Sequence, residues 1–364
     1  MNICLIGYGI PSLVLANILA NRNIKISIFD DSKLKNKSNT RTLGIAKKNI
    51  EFLKEEKINL DNISWPINNI KIFNESNNDK EILNFGPVKD KLFSIIKNYQ
   101  FINLLEKKTK KNKLIKLVKK NKNSFLNSII NNKNKFDLVI NFDSANKISK
   151  EIFFRRDLKN YNSEAYTTLI KHRKFENKLA HQIFTKIGPL AFLPLSKNKT
   201  SIVYSIYNSK HVDRKKIIHL INQHNIKYKI KKIEKIENFE LTSFNLRSYY
   251  HNNILAFGDL LHRIHPLAGQ GFNMTIRDVN IFINIIKNKI DLGLPIDRSV
   301  NYEFEKNLKH KNYIFSNSID LVQEFFNFER KFNNNILSKS VKILGKNRFI
   351  NKLFTKVADK GINF

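Results

Sequence analysis

Apolar residues in the first thirty positions follow the pattern of a strand, a turn, a helix and a second strand. Residues 2–7 form a short apolar run that ends in glycine, residues 11–21 carry apolar side chains at helical spacing, and residues 24–30 alternate and end in an acid. A short apolar run bounded by glycine is typical of a buried strand, and apolar positions three and four apart are typical of a helix. The pattern therefore predicts a βαβ unit.

The rest of the chain predicts a mostly antiparallel block between two α/β segments. Alternating positions between 67 and 85 indicate strands of an antiparallel sheet, and residues 152–245 are strand-rich. The apolar runs at 136–142 and 254–257 are typical of buried strands. The other predicted elements are a loop over 31–48, helices near 47–57, over 89–98 and from about 273 to 290, exposed hairpins over 107–135, and helices beyond 300.

This order of elements predicts an α/β fold. A βαβ unit opens the chain, an antiparallel block interrupts it, and an α/β element returns near 254–290. Two segments of one nucleotide-binding domain are therefore expected to flank a substrate domain, with helices closing the chain.

Length and composition exclude several classes of protein. The chain has 364 residues, 41% of them hydrophobic and 26% charged, which is too apolar for a disordered chain. No uninterrupted apolar run approaches the roughly 20 residues of a membrane-spanning helix. Cys4 is the single cysteine, which excludes an internal disulfide and a cysteine-based zinc site.

The net charge suggests a protein that binds nucleic acid, but the kinds of basic residue do not. Lys+Arg total 65 against 31 Asp+Glu, a formal net charge of +34. Such a balance is typical of proteins that bind nucleic acid or anionic membranes. Lysine far outnumbers arginine, however, and asparagine is also abundant, which indicates compositional drift over exposed positions. Because specific readers depend on arginine, we predict no nucleic-acid partner.

The two ends of the chain bear on localisation. Residues 3–19 are largely apolar, but no basic region precedes them and Gly7, Gly9 and Pro11 interrupt the run, so we expect a cytoplasmic protein rather than a signal peptide. Residues 346–360 carry apolar side chains at helical spacing with lysines between them. That stripe fits a helix packed on its own protein and equally a basic helix on an anionic membrane, so peripheral contact with the inner face of the membrane stays open.

The turn after the first strand has the spacing of a dinucleotide-binding fingerprint. In G-x-G-x-x-G, the first glycine makes the tight turn, the second lets the backbone approach a pyrophosphate, and the third lets helix and strand pack closely. Gly7 and Gly9 take the first two places, and Ser12 stands at the third. Asp30 ends the second strand, near the spacing at which an acid accepts hydrogen bonds from a ribose. Alone, these residues also fit a strand-to-helix turn with incidental glycines.

A longer motif, GDLLHRIHPLAGQGFN, occupies residues 258–273. Its acid follows a strand, at the carboxyl end where α/β sheets bind ligands. Its proline and glycines predict a loop whose free backbone N–H groups begin a helix, and such a terminus carries about half a positive charge and suits an anion or an anionic ring edge. The candidate binding residues are Gly258, Asp259, Pro266, Gly269, Gln270, Gly271, Phe272 and Asn273.

This motif resembles the second FAD motif of the class A flavoprotein aromatic hydroxylases, G-D-A-A-H-x-x-x-P-x-x-G-Q-G-x-N, and among them that of the ubiquinone-biosynthesis hydroxylases. Other segments are similar to that family in the same order. They are Arg41-Thr42-Leu43-Gly44-Ile45, which matches the family's arginine segment, 161–165 and 188–195 (GPLAFLPL), which match substrate-domain strands, and Asp291-Leu292-Gly293. The likeness covers nearly the whole chain.

The resemblance implies a Rossmann-like FAD-binding domain with an inserted antiparallel β-sheet substrate domain and a helical C-terminal tail. The FAD-binding domain is expected to comprise 1–66, 89–155 and 249–299. Strands at 67–88 and the segment 156–248 are expected to form the substrate domain, and 300–364 the tail.

The resemblance also implies FAD as the cofactor. Gly7 and Gly9 are then expected at the pyrophosphate, Asp30 and Arg41 on the adenosine side, and Asp259 at the pyrophosphate and ribityl region, while 266–273 meet the isoalloxazine ring. The implied reaction is hydroxylation of a phenolic ring, in this subgroup a polyprenylated ubiquinone precursor, by dioxygen through a flavin C4a-hydroperoxide. NAD(P)H or an electron-transfer protein is the implied transient reductant. No residue is assigned as a catalytic acid or base.

Three departures from the family pattern bear on these expectations. Ser12 replaces the third glycine. Residues 136–148 and Lys150 keep Asp143 but carry substitutions, at Asn141, Ser144, Lys147 and Lys150. These two departures concern the handling of the dinucleotide or of NAD(P)H. Leu260 and Leu261 replace two alanines beside the flavin strand, which predicts local repacking.

The sequence leaves other functions open. A degenerate, non-catalytic flavoprotein scaffold in a quinone-biosynthesis complex fits the substitutions at 12, 144 and 150, and a hydroxylase of a small soluble aromatic fits the same motifs. The charge of +34 keeps a basic binding module on nucleic acid or membrane as a further alternative. His262 and His265 form an H-x-x-H pair without a third ligand at suitable spacing, so we predict packing there and no metal site.

Overall fold

The computed structural model describes residues 1–29, 40–75, 80–118, 126–129, 136–207, 212–264 and 269–332. Its strands are β1 (Asn2–Ile6), β2 (Lys25–Phe29), β3 (Thr42–Ala46), β4 (Ser64–Ile67), β5 (Asn69–Asn74), β6 (Lys80–Phe85), β7 (Phe93–Lys97), β8 (Ile115–Val118), β9 (Leu138–Asn141), β10 (Arg156–His172), β11 (Leu179–Thr185), β12 (Gly188–Ser196), β13 (Lys199–Tyr207), β14 (Ile230–Ile233), β15 (Glu237–Leu246), β16 (Tyr250–His251), β17 (Ile254–Ala256) and β18 (His262–Arg263). Its longer α-helices are α1 (Ile10–Ala20), α2 (Lys47–Glu55), α3 (Asn98–Lys111), α4 (Lys147–Glu151), α5 (Arg214–Gln223), α6 (Gln270–Asp291) and α7 (Arg298–Phe332).

A six-stranded sheet contains the predicted βαβ unit. Its strand order is β16-β17-β9-β1-β2-β8, and β1 pairs in parallel with β2 on one side and β9 on the other. Ile3, Cys4 and Leu5 are fully buried, as expected for a parallel strand covered on both faces. Every residue of α1 except Pro11 is buried, because the helix packs between the sheet, α3 and α6.

A nine-stranded sheet forms the second layer. The order is β18-β15-β10-β13-β12-β11-β5-β6, and β14 also pairs with β10. Most neighbours are antiparallel, as predicted, but β11 and β5 run parallel. Helix α5 covers one face of this sheet, where Ile217 and Ile221 are fully buried against a core that includes Tyr204 and Phe192. The predicted α/β fold is therefore confirmed, whereas the domain boundaries stay a prediction.

Two sequence predictions of local structure are wrong around a small third sheet. Residues 89–98, predicted as a helix, contain strand β7, and α3 begins only at Asn98. The predicted loop over 31–48 contains strand β3. β3 and β4 both pair with β7 in antiparallel fashion. A short apolar run such as that of β7 has no periodicity that separates strand from helix, so only its distant partners decide.

The prediction of exposed hairpins over 107–135 is also wrong in its described part. Helix α3 extends to Lys111, and β8 pairs in parallel with β2 at the edge of the six-stranded sheet. A parallel pair joins segments that are far apart in the chain, so its local pattern does not reveal its partner. Helix α6 begins at Gln270, three residues before the predicted start.

The predicted C-terminal helices are present as α7 as far as Phe332. Residues 346–360, whose apolar stripe left membrane contact open, lie outside the described residues. Among the helices that the structure describes, none has the length and apolar character needed to span a bilayer.

His181 lies on the face of β11 that packs towards α5. Its ring stacks on that of Phe192 with a centroid distance of 4.5 Å, and it is 5% exposed. Burial, assisted by the charge of Lys227, lowers the pKa of His181 from 6.5 to about 3. The folded protein therefore binds this proton less readily than the unfolded chain, so the stabilisation is complete above pH 6.5 and is lost as the pH falls towards 3.

We accordingly expect His181→Phe to be more resistant to acid than the unchanged protein. The histidine should cost about 2 kcal/mol of unfolding free energy at pH 5 relative to pH 7, and phenylalanine keeps the stacking without the titration. Urea unfolding at the two pH values measures the difference. Replacing the exposed His219 in the same way is the control, and equal pH dependence in the two variants would contradict the assignment.

Candidate cofactor and substrate site

A cavity of about 1570 Å³ is lined by the loops at the carboxyl ends of the six-stranded sheet and by one face of the nine-stranded sheet. Its wall includes the turn 7–12, residues 41–47, the loop 142–146 and the start of α6. A typical small-molecule site has roughly 300–1,000 Å³. The volume is thus large enough for an extended cofactor together with a second molecule.

The glycine turn after β1 leaves its backbone open to this cavity. Gly7 has φ of +106°, and a Cβ there would lie 3.3 Å from Cβ of Phe142, so the turn requires glycine. Gly9 is extended and precedes α1, in whose first turn Pro11 lies. Ser12 is fully buried and its hydroxyl has no hydrogen-bond partner. The serine in place of the third glycine is accommodated inside the helix.

The motif after β17 forms a second tight turn beside the first. Gly258 has φ of +62°, and Asp259 is exposed and lines the cavity. The neighbouring Leu260 and Leu261 are 1% and 0% exposed and belong to the hydrophobic core. The two leucines that replace alanines therefore fill the core.

Helix α6 begins at the cavity with a left-handed residue. Gly269 has φ of +65°, and a Cβ there would lie 3.7 Å from the backbone nitrogen of Gly44. Gln270, Gly271 and Phe272 follow as the first turn of the helix and line the cavity. The N–H groups of a first turn have no partner within the helix and give this end a partial positive charge.

Asn273 fastens α6 to β3. Its Oδ1 accepts hydrogen bonds from the backbone N–H of Ala46 at 2.8 Å and from Nδ2 of Asn49 at 2.9 Å. Its Nδ2 donates to the carbonyl oxygens of Gly44 at 2.8 Å and Gly269 at 3.2 Å. The side chain is 4% exposed. Both polar atoms of the side chain form hydrogen bonds within the protein, so Asn273 shapes the cavity wall rather than offering a polar group to a ligand.

Arg41 lines the cavity next to the nine-stranded sheet. Its guanidinium carbon lies 5.3 Å from the centre of the Phe239 ring, within the range of a cation–π contact. Its backbone carbonyl accepts the N–H of Asn98 at 3.0 Å, which fixes the segment at the start of α3. The arginine therefore lies between the nine-stranded sheet and the start of α3.

A buried amide network holds the cavity loop that departs from the family pattern. Asn146 Nδ2 donates to Oδ1 of Asn141 at 2.8 Å, and Asn141 Nδ2 donates to the hydroxyl of Ser149 at 2.9 Å. That hydroxyl donates in turn to the carbonyl oxygen of Asp143 at 2.5 Å. The substitution Asn141 thus supplies hydrogen bonds of its own, and the loop that carries Asp143 is fully tied to β9 and α4.

His262 is engaged by a carboxylate. Its Nε2 lies 2.5 Å from Oδ2 of Asp278, both side chains are 1% exposed, and Nδ1 has no hydrogen-bond partner. Asn312 Nδ2 donates to the other oxygen of Asp278 at 3.3 Å. Within the described residues, no group of three or more His, Cys, Asp or Glu side chains has the arrangement of a metal site.

The structure brings most of the predicted binding residues to one cavity. Lining it are Gly7, Gly9, Ser12, Arg41, Asp259, Gly269, Gln270, Gly271, Phe272 and Asn273. Gly258 lies next to Asp259, whereas Asp30, Pro266 and His265 lie outside the described residues. Sequence reasoning missed the partners of Asn273, because nothing in the pattern around Asn49 indicates a contact with a helix more than two hundred residues away.

Comparison with known proteins supports a flavoprotein. Residues 151–288 match the family model described as an FAD binding domain. The chain is 30% identical over 166 residues to the 3-demethoxyubiquinol 3-hydroxylase of Escherichia coli, covering 43% of this chain and 40% of that protein. It is 24% identical over 218 residues to the mitochondrial ubiquinone biosynthesis monooxygenase COQ6 of Caenorhabditis elegans, covering 46% and 47%. The matched segment thus spans less than half of each relative.

Solved structures share the whole fold. The p-nitrophenol 4-monooxygenase PnpA of Pseudomonas putida has a TM-score of 0.74 at 10% identity, covering 98% of both chains. HpxO of Klebsiella pneumoniae, complexed with FAD and uric acid, has a TM-score of 0.73 at 10% identity, covering 98% of this chain and 97% of that one. The chain is therefore an FAD-binding protein with the fold of the class A FAD-dependent monooxygenases, the family that its motifs resemble.

Proposed function

We propose that the protein is an FAD-dependent monooxygenase that hydroxylates a phenolic ring, with a polyprenylated quinone precursor as its substrate. The observation that carries this proposal is one continuous cavity. It joins the two glycine turns and the start of α6 to an apolar face of the nine-stranded sheet. A monooxygenase needs its cofactor and its substrate in one space that protein side chains shield from water.

The residues present fit FAD. The open turn at Gly7, which a Cβ would fill, suits the close approach of a pyrophosphate, and Asp259 and Arg41 are among the charged residues that line the same cavity. Gln270 Oε1 is buried and lacks a partner, so it has hydrogen-bonding capacity for a ligand. Bound FAD supplies the redox chemistry and the activation of dioxygen.

The chain's own contribution is orientation and electrostatics. The N–H groups at the start of α6 favour negative charge at the cavity wall, by about 0.3–1 kcal/mol for one such terminus. The hydrogen bonds of Asn273 hold those groups at a fixed distance from β3. The apolar sheet face excludes water from the substrate and binds its hydrocarbon part.

The partners extend the same proposal. NAD(P)H or an electron-transfer protein reduces the bound flavin, and a polyprenyl substrate is delivered from a membrane surface that the protein contacts peripherally. Membership of a quinone-biosynthesis complex is part of this proposal. The relatives named for ubiquinone biosynthesis support this substrate class.

A visible spectrum tests the cofactor first. The purified protein, incubated with excess FAD and desalted, is expected to retain a flavin band at about 450 nm. The holoprotein, given a reductant, dioxygen and a prenylated phenol in detergent micelles, is then expected to yield product that has gained one oxygen atom by mass spectrometry. A folded protein that retains no flavin would overturn the enzyme and favour the scaffold alternative.

A further inference from the structure

Four neighbouring strands, β5, β11, β12 and β13, present one face to the cavity and the other to α5. Side chains alternate between the two faces of a strand. On the α5 side, the strands bury residues such as Ile183, Leu190 and Tyr204. The cavity-facing side chains are Ile70, Ile72, Ala180, Gln182, Phe184, Pro189, Ala191, Leu193, Val203 and Ser205. Two of these ten are polar.

Gln182 occupies the middle of this face. It is in register with Ile72 of β5 on one side and with Ala191 of β12 on the other. Its neighbours thus bring no polar group to it, and no hydrogen bond joins its amide to another side chain or backbone group in the described part of the chain. The amide therefore has its donors and its acceptor free for a molecule in the cavity.

Ser205 is the second polar side chain of the face. It is two residues along β13 from Val203, which is in register with Ala191, so it lies diagonally across the sheet from Gln182. Neighbouring strands are about 4.8 Å apart and residues rise about 3.4 Å along a strand, so the two Cα atoms are separated by about 10 Å across the strands and about 7 Å along them. Ser205 is 3% exposed, and none of the described residues forms a hydrogen bond with its hydroxyl.

None of the ten cavity-facing residues, all of which the structure describes, is charged. The cations that line the cavity, Arg41, Lys47, Lys91 and Arg263, lie outside these four strands. A carboxylate held against this face would therefore lose its water without gaining a cation from it, which is unfavourable. A polar group that a bound ligand shields from water without a hydrogen bond costs about 1–3 kcal/mol, so Gln182 and Ser205 each favour a ligand that completes their hydrogen bonds. This face therefore favours a ligand that is uncharged and carries hydrogen-bonding groups.

We propose that Gln182 and Ser205 orient an uncharged ring that bears hydroxyl or ether oxygens, and that the apolar side chains around them bind its hydrocarbon substituent. This inference rests on the proposed function and narrows its substrate to a phenol whose ring carries no carboxylate. Gln182 and Ser205 are specificity-determining residues, since they contact the ring and take no part in the transfer of oxygen.

Ligand binding to the oxidised, FAD-loaded full chain tests the proposal without turnover. The probes are ortho-butylphenol, butylbenzene and the benzoate that carries the same butyl and hydroxyl groups, each titrated by calorimetry. We expect the phenol to bind about tenfold more tightly than butylbenzene, as one good hydrogen bond allows, and the benzoate to bind at least about tenfold more weakly than the phenol.

Gln182→Leu keeps the size of the side chain and removes its hydrogen bonds. It is expected to reduce the preference for phenol over butylbenzene to about twofold or less while leaving butylbenzene binding unchanged or tighter. Ser205→Ala should reduce the preference by a smaller factor. Gln223→Leu, at the exposed end of α5, is the matched control and should keep the full preference.

Two results would overturn the proposal: an undiminished preference in Gln182→Leu, or benzoate binding as tight as that of the phenol. Both concern binding to the oxidised protein. A chain that retained flavin and showed these preferences but formed no hydroxylated product would contradict the proposed function and leave the ring-orienting role intact. If both substitutions left product formation unchanged, the ring-orienting role would be contradicted and the proposed function would stand.

Discussion

Replacing Asn273 by aspartate is expected to lower the unfolding free energy by about 3–5 kcal/mol and to abolish stable retention of FAD. The substitution keeps the shape of the side chain and an acceptor for the Ala46 N–H. It removes the two hydrogen bonds donated to Gly44 and Gly269 and places a negative charge against those carbonyl oxygens in a site that is 4% exposed. Asparagine is therefore needed for its donors as much as for its size.

One effect acts in the opposite direction. Residue 273 lies in the first turn of α6, where the helix dipole favours an acid by about 0.3–1 kcal/mol. Each buried carbonyl that loses its donor costs about 1–3 kcal/mol, so the loss outweighs the gain. With β3 released from α6, the distance between Gly44 and Gly269 is no longer set, and the cavity wall that those residues form opens.

Urea unfolding and the flavin content after desalting measure the two consequences of Asn273→Asp. Asn284→Asp is the matched control, because it lies on the same helix with an exposed side chain. That change should stay within about 0.5 kcal/mol of the unchanged protein and keep the flavin. If Asn273→Asp were as stable as the control and retained flavin equally well, the hydrogen bonds of Asn273 between α6 and β3 would have no energetic importance.

Gly188→Ala is expected to destabilise the protein by about 4 kcal/mol or more. Gly188 begins β12 with φ of +145°, a conformation that is nearly restricted to glycine. A Cβ at this position would lie 1.9 Å from the carbonyl oxygen of Ser205 and 2.9 Å from its carbon. The obstacle is backbone of the adjacent strand, which cannot turn aside as a flexible side chain does.

Gly293→Ala separates the cost of the backbone conformation from the cost of the contact. Gly293 has φ of +65°, but a Cβ there would meet no atom within 4 Å. Gly293→Ala should therefore lower the unfolding free energy by only about 1–2 kcal/mol, because alanine must adopt the left-handed conformation there. Urea unfolding of both variants gives the comparison. Equal losses of unfolding free energy in the two variants would mean that β12 and β13 separate readily. The proposed role of Ser205 requires β13 to keep its position beside β12.

The local features of this chain were predictable because local backbone requirements produce them. The βαβ unit at the start follows from apolar periodicity over thirty residues, and the glycines at 7, 258 and 269 mark turns that their positive φ angles require. Those features carried the resemblance to FAD-dependent hydroxylases. The two leucines at 260 and 261 were predicted to cause repacking, and they lie in the hydrophobic core.

Contacts between distant segments decided the rest. Strands β3 and β7 were missed, and the pairing of β8 was not predicted, because a short strand is defined by its partner. The partner of β8 is β2, far earlier in the chain. The bonds of Asn273 to β3 and the exposure of Gln182 to the cavity likewise depend on which faces meet after folding. Periodicity within a segment records which side chains share a face. Only the packing of that face against another segment decides whether the face becomes part of the core, a contact between two elements or part of a binding site.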